Sequence, residues 1–166
     1  MDYYHKYIKY KNKYISFKKQ LGGFKFELYS KDFKNGDHLP IKYSCKGESI
    51  QPELFWRNVP SKTKSFALIM EDPDAPKGTF IHWFVYNIPK NVNMITKDHN
   101  YPVTENSANE KNFHPACPPS GEHRYIFKLY ALDRYLTKNL NRNQILDKIN
   151  KYTIGKTELQ TYFGNK

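Results

Sequence analysis

Over the first 21 residues, Tyr4, Tyr7, Ile8, Tyr14, Ile15 and Leu21 recur at spacings that set them near one face of a helix, with lysines on the others. The pattern predicts a helix over Tyr3 to Leu21, closed by Gly22-Gly23, because glycine accepts the left-handed conformation that ends a helix. A helix of this length is only marginally stable alone. It is therefore expected to need a surface to dock on, whether the rest of the chain, a partner or a membrane. From Phe24 the pattern shortens into extended runs. Phe24 to Tyr29, Glu53 to Trp56, Ser65 to Glu71, Phe80 to Ile88 and Arg124 to Leu132 are rich in β-branched and aromatic residues. Turn signals separate them at Asn35-Gly36-Asp37, Asn58-Val59-Pro60, Asp72 to Gly78 and Pro115 to Gly121. Short strands punctuated by proline and glycine predict an antiparallel sandwich or barrel.

Within Phe80 to Tyr86, simple alternation sets His82, Phe84 and Tyr86 on one face and Ile81, Trp83 and Val85 on the other. Both faces are apolar, so the strand is expected to be central. The stretch Lys90 to Pro119 has weak periodicity and reads as loop over one end. Asn141 to Asn150 reads as a helix burying Ile145, Leu146 and Ile149, and Thr157 to Tyr162 reads either as a second helix or as a final strand. At 166 residues the chain is one domain of ordinary size, divided into a basic extension, 1–23, and a β-domain, 24–166.

Charge sharpens that division. Of the formal net charge of +11, residues 1–25 supply +6, with seven lysines against Asp2. A segment of this kind suits acidic partners, such as nucleic acid or a phospholipid surface, or serves only as a solvated face. Two cysteines, Cys45 and Cys117, do not make a disulfide scaffold in a chain of this length. Reduced thiols are expected, and with them a reducing, cytoplasmic location. That location is also suggested by the lack of a transmembrane-length apolar run, an apolar signal core or any Asn-x-Ser/Thr acceptor.

Three clusters carry candidate chemistry. Asp72-Pro73-Asp74-Ala75-Pro76 places two carboxylates in a loop stiffened by proline; its plain alternative is a β-turn whose aspartates cap backbone N–H groups. His82 sits in an apolar strand and must find a hydrogen-bond partner. In Cys117-Pro118-Pro119-Ser120-Gly121-Glu122-His123-Arg124-Tyr125, His123, Tyr125 and Phe127 alternate onto one face beside a rigid Pro-Pro loop. Imidazolium and phenol both donate to phosphate oxygens, and turn N–H groups can add an anion nest.

Taken together, Asp72-Pro73-Asp74-Ala75-Pro76, His82-Trp83, Asn87-Ile88-Pro89 and Pro118-Pro119-x-Gly121-x-His123-Arg124-Tyr125 resemble the phosphatidylethanolamine-binding protein family, also called Raf-kinase-inhibitor-like. The likeness runs over residues 24–163 and looks nearer the bacterial and archaeal branch than the animal one. It implies a Greek-key β-sandwich with short C-terminal helical segments and an anion pocket at one end. It implies ligand-binding roles for Asp72, His82, the Cys117-Pro118 backbone, His123 and Tyr125. Asp74, Pro76, Trp83 and Pro119 would shape the pocket, with Tyr162 as a lid and a cis bond admissible at Ala75-Pro76. Phe113 and Pro115-Ala116 stand where the family usually has tyrosine and Gly-Pro, so an altered rim is expected. The Lys/Tyr segment ending in Gly-Gly lies outside the family. It resembles leader segments in proteins of giant DNA viruses.

The function expected is that of a binding protein, not an enzyme, with no cofactor. It would hold an anionic or phosphorylated headgroup, as monomer or homodimer, and regulate a kinase or protease partner. The alternatives are a virion-associated structural protein contacting nucleic acid or membrane through residues 3–21, and a hydrolase using Asp72 with His123 or zinc on Asp72, Asp74, His82 and His123.

Overall fold

The computed structural model describes residues 3–20, 24–137 and 139–165. Its elements are α1 (Tyr3–Gln20), β1 (Glu27–Tyr29), β2 (Leu54–Arg57), β3 (Ser65–Asp72), β4 (Phe80–Pro89), β5 (Met94–Ile95), β6 (Glu122–Leu132), α2 (Arg142–Tyr152) and β7 (Thr153–Gly164), with a 3-10 turn at Ile41–Tyr43. The strands form two sheets, ordered β1-β2-β5 and β4-β3-β6-β7, and every strand pair is antiparallel. The expected mainly-β sandwich is what forms.

The sequence pattern explains the layering. Along β3, Phe66, Leu68 and Met70 face the smaller sheet, where Leu28, Leu54, Trp56 and Ile95 complete the main core. Ala67 and Ile69 face the other way and pack with Phe84, Leu132, Ile145 and Ile149 beneath α2. A strand covered on both faces needs an unbroken apolar run, and β3 has one. Helix α2 starts where Asn141 and Gln144 close a capping box, each side chain accepting from the other residue's backbone N–H (2.9 and 3.0 Å).

Of the two readings open for Thr157–Tyr162, the strand is the one that forms: Thr157, Leu159, Thr161 and Phe163 alternate into the interior and pair along β6. Several expectations need correction. The first extended run is shorter than expected, and the 90–119 loop contributes β5. No peptide bond among the described residues is cis, Ala75-Pro76 included. The predicted helical cap at Leu21 to Gly23 lies outside the described residues. Alternation fails in β4: Glu71 pairs with Ile81 but Met70 with Trp83, so His82 is an extra residue in a β-bulge. The bulge turns His82 to the same side as Trp83, toward Tyr125, while Ile81 and Phe84 face α2. No helix among the described residues is long and apolar enough to cross a membrane.

Cys45 and Cys117 are joined as a disulfide, Cα–Cα 5.4 Å, against the expectation of free thiols. The local backbone explains the pairing. Ser44 bridges Ala116, the Cys45 N–H donates to the Ala116 carbonyl (3.0 Å), and the Ala116 N–H to the Tyr43 carbonyl (3.4 Å). Pro115-Ala116 thus runs extended beside the 3-10 turn, and Ala116 is fully buried. That turn is fixed in its place because the Tyr43 hydroxyl donates to Asp32, which also pairs with Lys42 at 2.9 Å.

Candidate functional site

The C-terminal end of β3, the bulged start of β4, the entry to β6 and the disulfide-tied loop meet at one end of the larger sheet. They enclose a cavity of about 180 Å³ lined by Asp72, Ala75, Pro76, Phe80, His82, His114, Cys117 and Pro119. Larger hollows among the described residues contain none of Asp72, His82, Cys117, Pro118, His123 and Tyr125; Trp83 lines one of them, and another, lined in part by Ala75, Pro76 and Phe80, adjoins this cavity. The chemistry therefore concentrates at the smaller cavity.

Asp72 organises it. One carboxylate oxygen accepts the Asp74 N–H (2.9 Å), which folds the Pro73–Pro76 loop back on itself. The other accepts from His123 Nδ1 at 2.7 Å, with both side chains more than nine-tenths buried. Asp74 turns outward to Arg124, taking its backbone N–H, its Nε and its Nη2 at 2.9, 2.9 and 2.6 Å. That grip fastens the loop to β6, and the Arg124 guanidinium holds the Asp74 carboxyl down at about 2. The Asp72 carboxylate caps a turn N–H, as the plain alternative expects, and with its other oxygen orients an imidazole.

His82 is 5% exposed, and its Nδ1 lies 3.0 Å from the His114 carbonyl, whose residue donates its own N–H back to the His82 carbonyl at 2.9 Å. Burial pushes the imidazole down to about 4, a shift that the carbonyls of His114 and Pro115 oppose. The ring is neutral at pH 7. With Nδ1–H donating to the carbonyl, Nε2 is left unprotonated. Phe80, His82 and His114 form a ring cluster with centroids 4.7 to 5.7 Å apart, and Tyr125 meets His82 edge-on at 5.2 Å. The Tyr125 hydroxyl is buried and makes no well-formed hydrogen bond among the described residues. Burial raises its pKa, Asp72 adds to the rise, and the nearby Cys117 backbone N–H only partly offsets it.

The predicted residues thus divide. Asp72, His82, Cys117, Pro76 and Pro119 line the cavity. His123 and Tyr125 stand behind that wall, in contact with it through Asp72 and His82, and Asp74 acts through Arg124. Pro118 is not part of the wall. Trp83 belongs to another region: the bulge turns it into the main core, where it meets Phe113 and His99. Tyr162, expected as a lid, does not line the cavity: it pairs with Arg124 on the opposite face of β6 and β7, and its hydroxyl accepts from Gln160 Nε2 at 2.7 Å. Phe80 and His114 line the cavity and were not singled out from sequence; Phe80 stands two residues before His82, and His114 three before Cys117. The four-residue zinc arrangement does not form. Asp74 is engaged by Arg124, and among the described residues no three His, Cys, Asp or Glu side chains group to hold a metal ion.

Comparison with known proteins matches this frame. The family model described as phosphatidylethanolamine-binding protein matches residues 29–164. A UPF0098 protein of Aquifex aeolicus is 44% identical over 117 residues, 64% of this chain and 67% of that protein. The crystal structure of a phosphatidylethanolamine-binding protein homologue from Chlamydia trachomatis superposes with a TM-score of 0.80 at 35% identity, covering 86% of this chain and 99% of the other. Escherichia coli YbcL, described as a member of the mammalian family, gives 0.77 at 30% identity over 86% and 100%. With its sandwich, its paired proline loops and the whole 29–164 span matched, the chain belongs to the phosphatidylethanolamine-binding protein family.

Proposed function

We propose that this chain is a non-enzymatic binding protein that takes a phosphorylated headgroup, with an amine beside the phosphate, into the cavity between Asp72 and His82. The observation that carries the reading is that the buried carboxylate of Asp72 and the buried neutral imidazole of His82 line one hollow of about 180 Å³ at the end of the larger sheet. The carboxylate suits an ammonium group. The ligand phosphate would meet the unprotonated Nε2 of His82 either by bringing a proton of its own or by drawing one onto the ring. Regulation of a kinase or protease would act through the loops that wall the cavity, 72–80 and 113–119.

Hydrolysis is the weaker reading. Asp72 and His123 form an acid–imidazole pair, yet among the described residues no hydroxyl or thiol is hydrogen-bonded to that imidazole, and Ser120 is exposed outside the wall. Calorimetric titration of the full chain with inorganic phosphate and with O-phosphoethanolamine tests the proposal. Phosphoethanolamine is expected to bind at least about tenfold more tightly, the worth of a charge-assisted hydrogen bond to Asp72. Asp72→Asn, confirmed folded by circular dichroism, is expected to close that gap while phosphate still binds. No binding of either ligand to folded protein would refute the reading.

A further inference from the structure

Helix α1 carries a second kind of chemistry, independent of the cavity. At about 100° per residue, Tyr3, Tyr4, Tyr7, Tyr10 and Tyr14 fall within an arc of about 120°. A tyrosine stripe at helical spacing is ordinarily core. Here the five rings are between 53 and 85% exposed, and none joins either core cluster. Lys6, Lys9 and Lys13 stand along one flank, and Lys11 reaches over the Tyr7 ring, 5.7 Å from its centroid. The helix contains no carboxylate.

Three occupants suit an exposed aromatic stripe, and the charges separate them. A second copy of α1 would bring lysine against lysine, which is repulsive. Duplex DNA would use the lysines but leave five aromatic rings in water. An anionic phospholipid surface uses both. Tyrosine, apolar in body and polar at its tip, is enriched at the headgroup level of membranes. Lysine stems lie along the apolar surface while their ammonium groups meet lipid phosphate. We propose that α1 is an interfacial helix that lies in the headgroup layer of anionic membranes, tyrosine face inward, and holds the β-domain at that surface. The proposal rests on α1 alone and stands whether or not the cavity binds a headgroup.

Vesicle co-sedimentation of the full chain tests it, using phosphatidylcholine vesicles with and without phosphatidylserine and a duplex DNA arm. Binding is expected to vesicles containing phosphatidylserine, with little to phosphatidylcholine alone. Neutralising three lysines (Lys6→Gln, Lys9→Gln, Lys13→Gln) is expected to weaken it about a hundredfold, and raised salt to weaken it further. The triple variant Tyr7→Ser, Tyr10→Ser, Tyr14→Ser is expected to lose at least about tenfold. Excess free O-phosphoethanolamine at fixed ionic strength is expected to leave vesicle binding unchanged, which separates the helix from the cavity. Circular dichroism checks that each variant is folded. Equal binding to neutral vesicles, wild-type binding by the tyrosine variant, or a preference for DNA over anionic vesicles would overturn the assignment.

Discussion

Replacing His82 by glutamine tests how the site is held. The native imidazole is buried and titrates at about 4, against 6.5 for the free side chain. A histidine whose pKa is lowered by folding favours the unfolded state wherever only the unfolded chain binds the proton. Stability from this group is therefore intact above about pH 6.5 and is lost progressively as pH falls toward 4. Integrating between those values gives a penalty of about 0.2 kcal/mol at pH 7 and about 2 kcal/mol at pH 5. Glutamine keeps a neutral donor for the His114 carbonyl and has no proton to gain. Urea unfolding of both proteins at pH 7 and pH 5 isolates the effect, because every other titrating group appears in both. The wild-type midpoint is expected to fall by about 1 M more than that of His82→Gln over this interval, taking a slope of about 2 kcal/mol per molar. Midpoints that shift in parallel would refute the argument that burial holds this ring neutral.

Two further outcomes follow from the same geometry. Tyr125→Phe removes a buried hydroxyl that makes no well-formed hydrogen bond among the described residues and is expected to stabilise the protein, by up to about 1–3 kcal/mol; a destabilised variant would mean that the hydroxyl is satisfied in solution. Closing a loop of 72 residues, the Cys45–Cys117 disulfide is expected to contribute about 4 kcal/mol. Thiol titration in denaturant without reductant should find no free cysteine, and Cys45→Ser should lower the urea midpoint; two free thiols would contradict the pairing.

Much of this was legible in the sequence, and the failures have physical causes. Strand positions came from apolar runs, and His123 and Tyr125 share a face because β6 alternates without interruption where they lie. His82 was read onto the wrong face because a β-bulge adds a residue without leaving a mark in the hydrophobic pattern. The same bulge sends Trp83 into the core. In β7, Thr157, Leu159, Thr161 and Phe163 alternate cleanly, yet the short run Thr157 to Tyr162 had too few apolar positions to fix a period. The disulfide joins cysteines 72 residues apart, and the backbone pairing of Tyr43–Cys45 with Ala116 brings them together. Composition spoke for a reducing compartment, and that inference about the thiols does not survive the structure. Depth was also invisible: sequence placed Asp72, His82, His123 and Tyr125 at one end of the fold, but not which of them reach the cavity wall.

The central claim is that the Asp72–His82 cavity receives an anion. Histidine-detected ¹⁵N NMR across pH 3.5 to 7.5, with and without sulfate, tests it most directly, since sulfate holds a constant charge over that range. Without sulfate, His82 should titrate near 4; with it, the midpoint should move upward as the bound anion stabilises the imidazolium. A His82 titration that is the same in both conditions would contradict the account.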